Sequence, residues 1–174
     1  MKMNPIRDFE IPADMERVQK IIGHPEFKKS MEMIKILEKD RIFCGHGMTH
    51  LLDVARIAWI DCLETSAAYP KDVVYGAGLL HDVGKYLQYT EGTGHHVTSE
   101  RIARQVLKDA GYEAAETEDI CQAILSHRDK KASGKTVLGR ILYRADKISR
   151  ACYACPAAAE CDWSTKKKTA GVIS

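Results

Sequence analysis

A histidine–aspartate pair, His81 and Asp82, stands at the end of the apolar run Leu79-Leu80, and Lys85 follows three residues after Asp82. Imidazole nitrogens and carboxylate oxygens both bind transition metals, and a lysine beside them can hold a phosphate oxygen. A single His-Asp pair is common in proteins, so this chemistry depends on ligands supplied by other parts of the chain.

Three such residues lie on apolar stripes of other predicted helices. His50 is four residues before Val54, and His127 is three residues after Ile124, so each histidine shares a helix face with an apolar neighbour. Asp146 likewise follows two leucines at intervals of four residues. An inward carboxylate is unfavourable unless it is paired or bound to a metal. Taken alone, each histidine could instead be a hydrogen-bonded core residue.

The adjacent histidines His95 and His96 must be told apart. His95 shares its predicted helix face with Ser99 and Ala103, whereas His96 leads a charged face through Glu100. The first face suits a protein core and the second suits solvent. We therefore take His95 as the inward residue.

Helices must position these side chains, because apolar residues recur at intervals of three and four and no segment alternates as a strand would. The pattern predicts an all-α bundle of about six helices. Two polar segments, 85–94 and 128–135, are interpreted as connections. The predicted divisions are an N-terminal helical extension over 1–24, a globular domain over 25–150 and a cysteine-containing tail over 151–174.

Composition places the chain among ordinary soluble proteins, with 45% hydrophobic and 29% charged residues. No run approaches the roughly 18 consecutive apolar residues of a membrane span. The segment Met1–Asp8 lacks the apolar run of a signal peptide. We therefore expect a cytoplasmic protein with no membrane partner. A net charge of +2 does not favour a nucleic-acid partner.

Six candidate ligands emerge from the predicted inward faces: His50, His81, Asp82, His95, His127 and Asp146. Buried polar groups need partners, and a metal site satisfies such a set together. Mixed nitrogen and oxygen ligands favour Fe, Mn, Zn or Co over Ca. Six ligands exceed the needs of one catalytic metal that keeps open positions. They favour two metals, with Asp82 as the candidate bridge.

The order of these ligands resembles the HD-domain superfamily of metal-dependent phosphohydrolases. The resemblance covers roughly residues 25–150 and includes Leu79-Leu80-His81-Asp82-Val83-Gly84-Lys85 and Arg144-Ala145-Asp146-Lys147. It implies an HD-domain helical bundle in which His50, His81, Asp82 and Asp146 hold the first metal. His95 and His127 resemble the second-metal ligands of dinuclear members, such as the symmetrical dinucleoside-tetraphosphate hydrolases. In the alternative, the centre is mononuclear and these two histidines contact phosphate.

The implied activity is hydrolysis of a small phosphorylated substrate, with a nucleotide favoured, by metal-activated hydroxide. Asp82 and Lys85 are the candidate catalytic residues, and Lys85 and Arg128 the candidate phosphate-binding residues. Arg128 could instead be a solvated charge, and His46 could line the pocket or cap its loop. Two other functions stay open: an HD-fold di-iron oxygenase, and a non-catalytic nucleotide-sensing module. The sequence does not indicate the oligomeric state.

Three cysteines crowd the tail in a Cys-x2-Cys-x5-Cys pattern formed by Cys152, Cys155 and Cys161. The pattern resembles the last three ligands of the iron–sulfur loop in some DNA glycosylases. It could hold an iron–sulfur cluster or zinc, with Cys44 as a fourth ligand. The alternative is three free thiols packed by Trp163.

Overall fold

The computed structural model describes residues 11–172, and this part of the chain is all-α, as predicted. The start of the predicted N-terminal extension (residues 1–10, with the segment Met1–Asp8) and the last two residues of the tail lie outside the described residues. Nine α-helices follow one another in the described range: α1 Glu16–Gly23, α2 Pro25–Leu37, α3 Met48–Glu64, α4 Lys71–Leu80, α5 Lys85–Glu91, α6 His95–Ala110, α7 Ala114–Ser126, α8 Lys130–Ser133 and α9 Val137–Ile148.

One apolar core lies between the long helices. Helix α3 packs against α4 and α9, and α7 packs against α6 and α9. The core is filled mainly by branched aliphatic side chains, including Leu51, Leu80, Ile124 and Leu142, which are fully buried. Within residues 11–172 no helix is both long and apolar enough to cross a membrane.

The first helix joins this same core. Val18 and Ile21 of α1 are buried. Arg17 holds α1 in place, since its Nε lies 2.6 Å from Asp72 of α4 and its Nη1 lies 2.5 Å from Glu116 of α7. Two carboxylates on one guanidinium raise the pKa of Arg17, so this link between three helices stays charged.

Local sequence signals fix several helix ends. Pro25 occupies the first turn of α2, where its missing N–H is not needed, and the His24 ring accepts a hydrogen bond from Glu26 N at 3.2 Å. Thr136 caps α9 by accepting from Gly139 N at 3.0 Å. These caps set where α2 and the ligand-bearing helix α9 begin.

Both segments interpreted as connections contain a short helix. Residues 85–91 form α5 and residues 130–133 form α8. In α5 only Tyr86 and Leu87 are buried. Two adjacent buried residues produce no helical period, so the helix depends on packing against α2 and α6, which the sequence pattern does not report.

Two glycines let the helices approach closely where the candidate ligands meet. A Cβ at Gly78 of α4 would lie 2.6 Å from Ala55 Cα of α3. A Cβ at Gly84 would lie 2.3 Å from Ser99 N of α6, and Gly84 N donates to Ser99 Oγ at 2.9 Å. The turn after α4 is therefore held against both α3 and α6.

Candidate metal centre

The structure brings all six candidate ligands to one end of the helical bundle. Each is buried, with no more than 8% of its surface exposed: His50, His81, Asp82, His95, His127 and Asp146. They come from the first turns of α3 and α6, the residues just after α4 and α7, and the last turn of α9. Five segments that are distant in sequence thus supply one cluster.

Four of these residues form what we call the first group: His50, His81, Asp82 and Asp146. His50 Nε2 lies 3.4 Å from Asp146 Oδ1 and 3.6 Å from Asp82 Oδ2. His81 Nε2 lies 3.2 Å from the same Asp82 oxygen. One ligand atom of every member lies within 4.8 Å of the others, so all four can reach a single ion.

The other oxygen of Asp82 faces a second group, formed by Asp82, His95 and His127. Asp82 Oδ1 lies 3.2 Å from His95 Nε2 and 3.6 Å from His127 Nε2. The two imidazole nitrogens are 3.2 Å apart. Asp82 therefore belongs to both groups, with one carboxylate oxygen directed at each.

Hydrogen bonds at Nδ1 determine which nitrogen of each histidine is free. His81 Nδ1 lies 2.7 Å from Gly78 O, and His127 Nδ1 lies 2.5 Å from Ile124 O. Since a carbonyl oxygen only accepts, each Nδ1 must carry a proton and donate it. His95 Nδ1 lies 2.5 Å from the side-chain oxygen of Gln88, which also accepts from His95 N at 3.2 Å. The Nε2 lone pairs of His95 and His127 consequently face each other.

The chemistry of this donor set fits metal ions. Two buried atoms of the cluster, His81 Nε2 and Asp82 Oδ1, have no hydrogen-bond partner. Buried polar atoms are costly without partners, and opposed lone pairs attract a cation. Hydrogen bonds from Nδ1 to carbonyl oxygens are the usual support for histidines that bind a metal through Nε2. Both groups are therefore suited to hold a divalent cation.

The electrostatics of the cluster keep its carboxylates charged. Burial alone would raise the pKa of Asp82, but the neighbouring histidine rings, His81 foremost, lower it well below its usual range. The pKa of Asp146 is lowered in the same way. Burial lowers the pKa of His95 to about 3, so its imidazole is neutral at physiological pH. Burial also lowers the pKa of His81, but Asp82 and Asp146 outweigh it and raise that pKa to about 10, so a metal bound at His81 Nε2 would take the place of a proton.

Two basic side chains contact the first group. Lys147 Nζ lies 2.5 Å from Asp146 Oδ2. Arg150 is buried, and its Nη2 lies 2.9 Å from His50 Nε2. The sequence pattern did not single out either residue, because a charged residue near the end of α9 is usually solvated.

The candidate phosphate-binding residues lie at the margin of the cluster. Lys85 begins α5 and is half-buried, whereas Arg128 is exposed after α7. Burial lowers the pKa of Lys85; the carboxylate of Asp82 opposes this, and the charges of Arg41 and Arg128 lower it further. Arg41 and Arg128 therefore add positive charge near Lys85.

His46 belongs to a partly buried network next to the first group. Its ring meets the His50 ring edge-on, with centroids 6.1 Å apart. Glu38 Oε1 lies 2.5 Å from His46 Nδ1 and accepts from Tyr89 OH at 2.7 Å. His46 N also donates to Glu38 Oε2 at 2.8 Å. His46 therefore both anchors its loop and lies beside the cluster.

The tail cysteines lie apart from this centre. Cys152, Cys155 and Cys161 are free and half-buried. In the part of the chain that the structure describes, they do not converge within 4.8 Å as the ligands of a single ion would. Lys168 Nζ holds this segment by donating to Ala158 O at 2.6 Å and Cys161 O at 3.3 Å. Metal binding at these cysteines, with or without Cys44, stays a prediction.

Two further cysteines, Cys62 and Cys121, are buried in the core, and burial raises the pKa of each thiol. They are protonated at neutral pH and serve as small apolar side chains.

Comparison with known proteins agrees with the geometry of the centre. An uncharacterized protein of Clostridium beijerinckii is 42% identical over 154 residues, which cover 88% of this chain and 96% of that protein. Ribonuclease Y of Acetivibrio thermocellus is 29% identical over 124 residues, and ribonuclease Y of Fusobacterium nucleatum is 28% identical over 127 residues. These matches cover 69% and 72% of this chain but only 21% and 22% of the two ribonucleases. No solved structure matches the chain significantly.

The family model of the HD domain matches residues 47–151. This range includes all six candidate ligands and also Arg150. More than half of the chain is matched, in agreement with the order of histidines and aspartates in the sequence. The chain therefore belongs to the HD domain family.

Proposed function

We propose that the protein is a dinuclear metal phosphohydrolase that acts on a nucleotide or another small phosphate ester. The observation that carries this proposal is the position of Asp82. Its Oδ2 lies 3.2 Å from His81 Nε2 of the first group, and its Oδ1 lies 3.2 Å from His95 Nε2 of the second. A carboxylate that faces two ligand groups in this way is suited to bridge two ions about 3.5–4 Å apart.

The residues around the centre support hydrolysis of a phosphate ester. A bound metal pair would supply hydroxide at neutral pH by lowering the pKa of a shared water toward about 7. Asp82 and Asp146 bring negative charge that two divalent cations exceed, so the loaded centre attracts an anion. Lys85, with Arg128 further out, adds positive charge on the same side and can hold non-bridging phosphate oxygens. This charge balance favours a phosphorylated substrate over a neutral one.

Cleavage of RNA is a second candidate, and the similarity to two ribonuclease Y proteins favours it. RNA hydrolysis also breaks a phosphate ester, so the same centre could perform it. A net charge of only +2 argues against RNA as the substrate, since nucleic-acid affinity depends on many phosphate contacts. We therefore rank a small phosphorylated substrate above RNA.

Two further functions use the same ligands. A di-iron oxygenase would need the same six residues, and the basic group at Lys85 is what favours hydrolysis. A nucleotide-sensing module would need no reactive centre, yet all six ligands are in place and buried. One assay distinguishes both of these functions from phosphate-ester hydrolysis.

The test is a substrate panel with protein loaded with Fe²⁺, Mn²⁺, Co²⁺ or Zn²⁺. The panel contains nucleoside phosphates, dinucleoside polyphosphates, p-nitrophenyl phosphate, its bis-ester and single-stranded RNA. We expect metal-dependent phosphate release from a nucleotide, and none from the Asp82→Ala protein, which controls for contaminating phosphatase. Oxygen consumption with reduced iron would favour the oxygenase. Tight nucleotide binding without turnover of any ester would contradict the proposal and favour the sensor.

A further inference from the structure

Arg150 is a buried cation that faces the first group. Only 9% of the residue is exposed, although it follows the end of α9. Its Nη1 donates to Gly45 O at 2.7 Å. Its Nη2 points elsewhere, lying 2.9 Å from His50 Nε2 and 3.7 Å from Asp146 Oδ1. One side of the guanidinium is thus anchored to the backbone while the other faces two candidate ligands.

The atoms of His50 and Asp146 that face Arg150 are the same atoms that would bind a metal. The Nε2 lone pair of His50 accepts one partner, so it serves either Arg150 or a metal ion. A guanidinium carries five N–H donors, no acceptor and a permanent charge. If His50 binds a metal, Nη2 loses this acceptor and cannot lose its proton, and Asp146 Oδ1 at 3.7 Å is too far away to replace it as a hydrogen-bond acceptor. A buried charged donor without an acceptor is strongly unfavourable, so the loaded centre requires a new acceptor at this point.

We propose that this acceptor is a phosphate oxygen of the substrate, which makes Arg150 a phosphate-binding residue of the centre. The inference rests on the proposed function, since it names a group that holds the same substrate. An arginine suits the role because its planar fork can donate two parallel hydrogen bonds to a phosphate. Arg150 is also buried, unlike Arg128, so its charge acts through a lower dielectric.

The C-terminal tail positions Arg150. The Thr169 hydroxyl donates to Arg150 O and accepts from Cys152 N at 3.0 Å. Thr169 is itself buried, with 8% exposed. The returning tail therefore fixes the backbone at the residue whose side chain faces the first group. This gives Thr169 a positioning role that requires no metal at the tail cysteines.

The test is binding of inorganic phosphate to Mn²⁺-loaded protein, measured by calorimetry together with metal content and melting temperature. The variant is Arg150→Met, with Arg150→Lys to keep the charge without the fork. Arg140→Met, at an exposed position of α9, is the matched control. Loss of a charged hydrogen bond predicts phosphate binding about 10- to 100-fold weaker in Arg150→Met, with part of the loss restored in Arg150→Lys. Metal content should be unchanged in all three.

Three results would overturn the proposal. The first is wild-type phosphate affinity in Arg150→Met, and the second is no measurable phosphate binding by the loaded wild-type protein. The third is loss of a metal from Arg150→Met, which would assign Arg150 to holding the ligands instead. If the wild-type protein binds phosphate through Arg150 but hydrolyses no ester of the panel, the proposed function fails while this inference stands.

A second pair of variants tests the positioning role of the tail. Thr169→Val removes the hydroxyl, and Thr169→Ser retains it. We expect Thr169→Val to weaken phosphate binding and Thr169→Ser to restore it. Equal affinities for the two variants would show that the tail does not position Arg150.

Discussion

The two ligand groups of the centre share Asp82 but differ in the number of their ligands. The first group contains two carboxylates and two imidazoles, whereas the second contains two imidazoles and only the shared carboxylate. Lys147 and Arg150 lie beside Asp146 and offset the charge of this additional carboxylate. Because Asp146 gives the first group a fourth ligand, we expect this group to hold a divalent cation more tightly. Asp82 would therefore connect two sites of unequal affinity.

The groups also differ in how their histidines are supported. In the second group both Nδ1 atoms have carbonyl-type acceptors at 2.5 Å, at Gln88 and Ile124. In the first group His81 Nδ1 has Gly78 O at 2.7 Å, but His50 Nδ1 has only Ser149 Oγ, at 3.4 Å. Firm orientation of both imidazoles therefore partly offsets the smaller number of ligands in the second group.

The largest effect should come from the shared residue. Asp82→Ala removes a ligand from both groups, so we expect both metals to be lost and activity to fall by roughly three orders of magnitude or more, because metals supply several kcal/mol of transition-state stabilisation. Metal analysis and turnover give the measurement, and Asp119→Ala, at an exposed position on α7, is the control. Full metal content in Asp82→Ala would contradict the assignment of Asp82 as the bridging ligand.

A smaller effect should follow from breaking only the second group. His127→Gln keeps a similar volume but removes one imidazole from a set of three ligands, so the second metal should be lost and the first retained. Elemental analysis should show the metal-to-protein ratio falling by one. An unchanged ratio would favour a mononuclear centre in which His127 contacts phosphate.

The neighbouring histidines His95 and His96 offer a matched pair. His95 faces Asp82, while His96 is half-buried beside it and belongs to neither group. His95→Ala should weaken binding of the second metal by about 10- to 100-fold or more, because loss of a residue that only supports a metal ligand already costs this much. His96→Ala should leave metal affinity close to the wild-type value. Metal titration, monitored by competition with a chelating dye, measures the metal affinity of both variants. A larger loss of affinity in His96→Ala than in His95→Ala would show that the wrong histidine was assigned.

The smallest effect concerns Glu38, which supports His46 beside the first group. Burial would raise the pKa of Glu38, but His46 and Tyr89 outweigh it and lower the pKa from 4.5 to about 2. Because the folded value is the lower one, the carboxylate stabilises the fold above pH 4.5, and this stabilisation is lost as the pH falls toward 2. Glu38→Gln should therefore be less stable than wild type at pH 7, with the difference shrinking at pH 3.

Unfolding by denaturant at the two pH values measures this difference, with Glu32→Gln as the control, at an exposed position of α2, the helix that ends just before Glu38. A difference that does not depend on pH would mean that Glu38 acts through packing rather than through its charge.

The sequence was informative about the ligands because each lies on a helix with a clear apolar stripe or just beyond the end of one. His127 follows Ile124, and Asp146 follows Leu142, so the direction of each side chain could be read from spacing alone. The same spacing of apolar residues makes these helices amphipathic. All six candidate ligands are buried together as this reasoning predicts.

Features that depend on distant contacts were not predictable in this way. Arg150 is buried through a hydrogen bond to Gly45, 105 residues away, which no periodicity reveals. Gln88 supports His95 from α5, a helix with too few buried residues to leave a pattern. Spacing reports which way a residue faces on its own helix but not what another segment places against it.

The central claim is that Asp82 bridges two metals, and electron paramagnetic resonance of Mn²⁺-loaded protein tests it most directly. Two Mn²⁺ ions that share a carboxylate are magnetically coupled. The account predicts two Mn²⁺ per chain with a coupled signal, which His127→Gln converts to the signal of one isolated ion. A single uncoupled Mn²⁺ per wild-type chain at full loading would contradict it.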